Sequence, residues 1–146
     1  MQKGCEFCEN TGGEVLWEDD CCRAVWAYDP DHPGFCRVIW DKHVQDMTDL
    51  PAVDRDRLMR VVFATEQALV EVLKPDKLNL ASLGNLTPHL HWHLIPRFVD
   101  DPHFPNPVWG QKLRQGGHPL PADFAMRMRR ALDLALRAKG GLIKRV

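Results

Sequence analysis

The stretch that decides the fold is Pro88-His89-Leu90-His91-Trp92-His93-Leu94-Ile95-Pro96-Arg97. In a β-strand, alternate side chains point to opposite faces. Read as a strand, this segment sets His89, His91 and His93 on one face, while Leu90, Trp92 and Leu94 pack inward on the other. Three imidazoles on one rigid face support two kinds of chemistry. Neutral nitrogens can ligate a metal, as in three-histidine zinc sites. Alternatively, one imidazole can attack an electrophile while its neighbours orient it and bind the departing anion.

Working outward, Lys77–Leu83 reads as a second strand, separated from the histidine strand (His89–Phe98) by Gly84-Asn85. Upstream, Leu58, Val62, Leu69 and Leu73 recur at helical spacing within Pro51–Leu73, and Pro75 closes the pattern. Three runs rich in Val, Trp and Ile come first: Val15–Glu18, Cys22–Tyr28 and Phe35–Trp40. Glu18–Asp20 and the turn-prone Asp29–Gly34 separate them. Downstream, Pro96–Pro121 holds six of the 11 prolines and is expected to be a long irregular loop. A last helix is expected over Ala122–Ala138, with Phe124, Met128, Ala131, Leu132 and Ala135 as its apolar stripe. The order of strands, helix, strands, loop and helix predicts an α+β domain, an antiparallel sheet with helices packed on it.

The whole chain bounds the function. Its 146 residues argue for one domain, 1–146. An apolar share of 45% and a charged share of 27% are those of an ordinary globule. With 19 basic and 20 acidic residues the formal charge is −1, so no global field draws in nucleic acid or an anionic membrane. No apolar run reaches the roughly 20 residues that span a bilayer. The opening MQKGCEFCEN has no apolar signal stretch, and the expected location is cytoplasmic. Five cysteines, an odd number, point to thiols or a metal site rather than a disulfide framework. Cys21, Cys22 and Cys36 fall in strand-like runs and read as core. His32, His103 and His118 read as loop surface, Arg127–Arg130 as a solvated helix face and Lys144-Arg145 as a frayed terminus. Trp109, in the proline-rich loop, is placed to touch a ligand's base or a partner.

The segment His89-Leu90-His91-Trp92-His93-Leu94-Ile95 resembles the defining pattern of the histidine triad (HIT) family, His-φ-His-φ-His-φ-φ with φ apolar. Gly84-Asn85 lies where that family usually has Gly-Gln, and Pro96-Arg97 follows as in many members. Val38-Ile39-Trp40-Asp41-Lys42-His43 is similar to the family's Val-Ile-Pro-Lys-x-His, and Cys5-Glu6-Phe7-Cys8 to the Cys-x-x-Cys opening of many bacterial members. Asp101–Gly110 resembles a bacterial subgroup related to diadenosine tetraphosphate hydrolases.

The resemblance implies a HIT-like five-stranded antiparallel sheet with two main helices, dimerising into a ten-stranded sheet. The loop and helix 97–146 would pack on this domain or at the dimer interface. It implies a nucleotidyl hydrolase or transferase acting at the α-phosphorus of a nucleoside phosphoramidate or dinucleoside polyphosphate. His91 would be the nucleophile, and His93 would donate to the α-phosphate oxygens or assist the leaving group. Asn85, one methylene shorter than the family's Gln, would bind the scissile phosphate. Asn79 matches a phosphate-contacting position, and Asp29 matches a ribose binder, although Asp29 reads equally well as an ordinary turn aspartate. In bacterial members a structural zinc is held at positions matching Cys5, Cys8, His43 and His89, and the chemistry itself needs no cofactor. One departure stands out: a further family histidine is replaced by Phe35. The alternatives are a zinc-dependent hydrolase using the three-histidine face and a nucleotide-binding protein with little turnover. The expected partners are a small nucleotide and a second copy of the chain.

Overall fold

The computed structural model describes residues 1–143; the expected frayed terminus at Lys144-Arg145 lies outside the described residues. Five strands form one sheet in the order β1-β2-β3-β5-β4, with every neighbouring pair antiparallel. They are β1 (Glu14–Glu18), β2 (Cys22–Trp26), β3 (Cys36–Trp40), β4 (Lys77–Ala81) and β5 (His91–Arg97). The α+β expectation and the five-stranded sheet hold. The strands predicted at Cys22–Tyr28 and Lys77–Leu83 stop two residues early, at Trp26 and Ala81.

Period-two alternation organises the sheet. Cys36, Val38 and Trp40 of β3 and Leu94 of β5 enter the main core, with Trp92 packed against it. On the opposite face Val25 and Ile39 form a smaller apolar cluster with Phe7. Register fixes which residues adjoin: Val38 pairs with Trp92, Ile39 with His91 and Arg37 with His93. A one-residue slip would exchange the histidine face for the core face, so the apolar alternation also fixes the site.

Two long helices cover the main-core face. α2 (Ala52–Leu73) buries Leu58, Val61, Val62 and Leu69. It ends at Lys74, whose left-handed backbone (φ 49°) lets its N–H bond the Val70 carbonyl before Pro75 stops the helix. α3 (Phe124–Ile143) buries Phe124, Met128, Leu132 and Leu136, and thus docks the C-terminal segment on the sheet. No described helix is long and apolar enough to cross a membrane.

The other face carries a one-turn helix that the sequence reading did not predict, α1 (Glu6–Glu9), and the first part of the irregular chain from Phe98 to Asp123, whose Leu120 packs back against the main core. Pro96, expected to open that loop, instead belongs to β5. One buried ion pair ties the loop down. Arg97 donates through Nε (2.8 Å) and Nη2 (3.1 Å) to the Asp101 carboxylate, and also to Asn79 Oδ1 and the Asn106 carbonyl. Cys22 and Cys36 are core residues as read, and Cys21 packs half-buried against them.

Candidate active site

A cleft of about 620 Å³ opens on the histidine face. Its walls include Phe7 of α1, Asp29 and His32 of the β2–β3 turn, Phe35 and Arg37 at β3, Gly84–Thr87, the triad residues His91 and His93, and His103 and Trp109 of the long loop. The loop after β4 turns at Gly84 (φ 81°), a backbone conformation that disfavours a side chain.

His91 is oriented by its own strand. Its Nδ1 lies 2.6 Å from the His89 carbonyl, which can only accept, so Nδ1 carries the proton. In the neutral ring Nε2 then holds the lone pair. Phe7 packs edge-on against the imidazole at 4.8 Å. Burial, together with the nearby Arg37 charge, holds the His91 pKa below the ordinary histidine value despite the opposing hydrogen bond to the His89 carbonyl. His93 stands edge-on to His91 at 4.7 Å, with Phe35 at 5.4 Å and Trp109 at 5.2 Å. Burial, then repulsion from His91 and Arg37, lowers its pKa to about 3, so it is neutral at physiological pH. Its buried Nδ1 has no hydrogen-bond partner.

His89 points elsewhere. It is fully buried, and its Nε2 meets the Trp40 carbonyl at 2.5 Å. That bond places the proton on Nε2 and leaves Nδ1 as a ligand atom. Nδ1 faces the Cys5 Sγ at 3.3 Å and the Cys8 Sγ at 3.6 Å, and Cys8 Sγ lies 3.5 Å from His43 Nδ1. All four ligand atoms fall within 4.8 Å of one another. A tetrahedral zinc with bonds of ~2.3 Å to sulfur and ~2.0–2.1 Å to nitrogen separates S and N ligands by roughly 3.5 Å. The donor set therefore suits one tetrahedral ion in both spacing and softness. The same geometry corrects the three-histidine metal alternative. The two ring nitrogens of His89 face the thiols and Trp40, while His91 Nδ1 is committed to a carbonyl, so the three imidazoles share no common point.

Other expected site residues divide. Asn85 lines the cleft with its side chain exposed. Asp29 also lines it, but its Oδ1 accepts the backbone N–H groups of Asp31 and His32, both at 2.9 Å, so it caps the turn as well. Asn79 lies on the histidine face but not in the cleft wall; its Oδ1 is held by Arg97 at 2.9 Å. His32 and His103 are not loop surface, as the sequence reading had them. Both are buried, and they meet at 3.0 Å, because the long loop folds back over the β2–β3 turn. Asp101 lies 3.9 Å from His32. Its two oxygens accept five donors from Arg97, Phe98, His103 and Phe104, which leaves no free position for a metal. Burial alone would raise the Asp101 pKa; these donors more than offset it and hold the carboxyl well below the usual range.

The sequence reading also missed Arg37. It alternates with Val38 along β3, pairs in register with His93, and brings its guanidinium over Phe7 at 5.5 Å and Phe35 at 5.8 Å. One nitrogen bonds the Gly12 carbonyl, Nε is buried without a partner, and the cation has no carboxylate in salt-bridge range among the described residues.

The HIT domain family model matches residues 9–100, a span that carries the whole sheet and all three histidines His89, His91 and His93. The chain belongs to the HIT-domain family. An adenylylsulfatase of Arabidopsis thaliana, HINT3, is 28% identical over 106 residues, which cover 66% of this chain and 54% of that protein. An AP-4-A phosphorylase of Mycobacterium tuberculosis is 27% identical over 107 residues, 69% of this chain and 55% of that protein. This HIT chain thus spans about half the length of these two relatives. Among solved structures, a histidine triad protein of Bradyrhizobium japonicum superposes with a TM-score of 0.70 at 29% identity, over 84% of this chain and 92% of that one. A zinc-bound HIT protein of Mycobacterium smegmatis shares the fold with a TM-score of 0.64 at 23% identity, over 92% and 97%.

Proposed function

We propose that the chain hydrolyses, or transfers the nucleotidyl group of, a nucleoside phosphoramidate or dinucleoside polyphosphate through a covalent nucleotidyl-His91 intermediate. The observation that carries this reading is the 2.6 Å contact between His91 Nδ1 and the His89 carbonyl, which leaves a lone pair on Nε2 of an imidazole lining the cleft. In the first step that lone pair forms the N–P bond at the α-phosphorus, and the bond to the leaving group breaks with its electron pair. In the second step a water oxygen attacks phosphorus, the P–N bond breaks with its electron pair returning to Nε2, and a proton of that water passes to solvent. The nucleoside monophosphate departs, and the neutral imidazole is restored. Neutral His93 presents one N–H to a phosphate oxygen. Arg37 is the one lysine or arginine among the described residues that line the cleft, and such fixed donors are the main protein contribution to phosphoryl-type transfer. Asn85 lies at the mouth to contact the scissile phosphate.

Cys5, Cys8, His43 and His89 would hold a structural zinc, which when bound pins the N-terminal turn to the segment leading into β5 and takes no part in the chemical step. A homodimer belongs to the same proposal: β1 and β4 are edge strands of the described sheet, available to extend it to ten strands.

The test is turnover of adenosine 5′-phosphoramidate and diadenosine polyphosphates by wild type and His91→Ala. Loss of turnover with retained nucleotide binding is expected; undiminished hydrolysis by the variant would sink the mechanism. A chelator should leave the rate of still-folded protein unchanged, and abrupt loss would favour metal chemistry. Phe35, which packs on His93 without offering it a hydrogen bond, supports a second reading, a nucleotide binder with slow turnover. Single-turnover kinetics separate the two.

A further inference from the structure

Asp101, His32 and His103 form a buried chain that ends at the cleft and that the chemistry above does not use. The Asp101 carboxylate stays ionised, and it sits 3.9 Å from His32 Nδ1, an atom that is buried and has no hydrogen-bond partner. A lone pair on Nδ1 would face that negative charge, so the proton of His32 belongs there. His32 Nε2 is then an acceptor, and at 3.0 Å it takes the proton of His103 Nδ1. With Nδ1 donating, Nε2 is the His103 nitrogen left to accept. That atom makes no hydrogen bond to the protein among the described residues, and its residue lines the cleft wall. The ligand group it meets must donate a hydrogen bond. It must also tolerate the negative Asp29 carboxylate, which lines the same cleft, whereas Asp31 there is paired with Lys112 at 3.3 Å. A phosphate oxygen meets neither condition; an uncharged hydroxyl meets both.

We infer that His103, set in its tautomer by His32 and Asp101, is a specificity-determining residue that accepts a hydrogen bond from a sugar hydroxyl of the bound nucleotide. This rests on the reading of the cleft as a nucleotide site but not on turnover. Tilting His103 by repacking the long loop would move its Nε2, so the Arg97–Asp101 clamp and the backbone bond from His103 N to Asp101 Oδ1 (2.9 Å) are part of the device.

The experiment is calorimetric titration of the full chain with AMP, 2′-deoxy-AMP, 3′-deoxy-AMP and IMP, for wild type, His103→Phe and His103→Gln. For wild type, AMP should bind about five- to tenfold more tightly than one of the two deoxy analogues, the range set by one good hydrogen bond. His103→Phe should lose that factor for AMP and leave the affinity for that deoxy analogue unchanged, a pattern that a merely structural role cannot produce. Should the phenylalanine variant fail to fold, as judged by circular dichroism, His103→Gln carries the comparison. Equal wild-type affinity for AMP and both deoxy forms, or no binding of AMP, overturns the inference. An equal loss across all ligands overturns it as well, and a loss confined to the AMP–IMP difference would assign the acceptor to the base instead. Wild type that discriminates among these nucleotides yet turns over no phosphoramidate would reject the proposed reaction and leave this inference standing.

Discussion

Replacing Asp101 by asparagine changes one atom's charge and almost no volume. The side chain accepts Arg97 Nε (2.8 Å) and Phe98 N (3.2 Å) on Oδ2, and Arg97 Nη2 (3.1 Å), His103 N (2.9 Å) and Phe104 N (2.8 Å) on Oδ1. An amide must turn its NH₂ toward one of those sets, so at least two buried donors lose their acceptor. The Arg97 guanidinium, only 2% exposed, also loses its counter-charge. Breaking a buried ion pair from one side costs about 3–5 kcal/mol, a large part of the roughly 5–15 kcal/mol that holds a domain folded. Urea unfolding should show the midpoint fall accordingly with little change in slope. The double variant Arg97→Leu/Asp101→Leu should recover part of the loss, because no lone charge remains buried. The pH dependence has a definite sign. The folded carboxyl titrates below its unfolded value near ~3.9, so its contribution is full above that value and drains as the pH falls toward the lower folded pKa. Asp101→Asn should lack that acid-side loss. A cost under about 1 kcal/mol would refute the reasoning, since it would mean that neither the charge nor the five bonds is held as described.

Further outcomes can be checked in parallel. Neutral burial of His93 should stabilise fully above the unfolded histidine value of 6.5 and lose that contribution as pH falls from there toward about 3. Unfolding free energies from urea titrations at pH 7.5 and 5 should therefore differ by about 2 kcal/mol more in wild type than in His93→Gln. Metal analysis of the purified chain should give one zinc per chain, abolished in Cys8→Ser, with a lower melting temperature that added zinc no longer restores. Arg37→Met should weaken nucleotide affinity roughly tenfold or more through the lost charge while leaving thermal stability nearly unchanged, as the thermal melt checks. Leu94→Ala, at a fully buried core position, should cost about 2–5 kcal/mol in chemical denaturation.

Much of this was legible in the sequence because it is local. Alternation along Phe35–Trp40 and His89–Phe98 marks two strands and their faces, and the spacing of Leu58, Val62, Leu69 and Leu73 marks α2. The cysteine pair with His43 and His89 could be grouped only through the family pattern, yet the donor types already suited a metal. What escaped depends on long-range return of the chain. His103 sits in a proline-rich segment with no period, and only the Arg97–Asp101 clamp brings it against His32, 71 residues away. α1 is a single turn, too short for any periodic signal, although its Phe7 walls the site. Arg37 was readable in principle: it occupies the same alternate face as Ile39, and an arginine there has to find an anion or solvent.

His89 speaks to both halves of the molecule's chemistry. Its ring faces the thiols of Cys5 and Cys8, while its backbone carbonyl fixes the proton of His91, the nucleophile we propose. Oxidation or alkylation of that thiol pair would therefore not stay a local lesion of the N-terminus. A displacement of His89 that carries its backbone would move that carbonyl, and with it the acceptor that sets the His91 tautomer. The covalent state of two cysteines and the competence of a histidine are thereby joined through one residue.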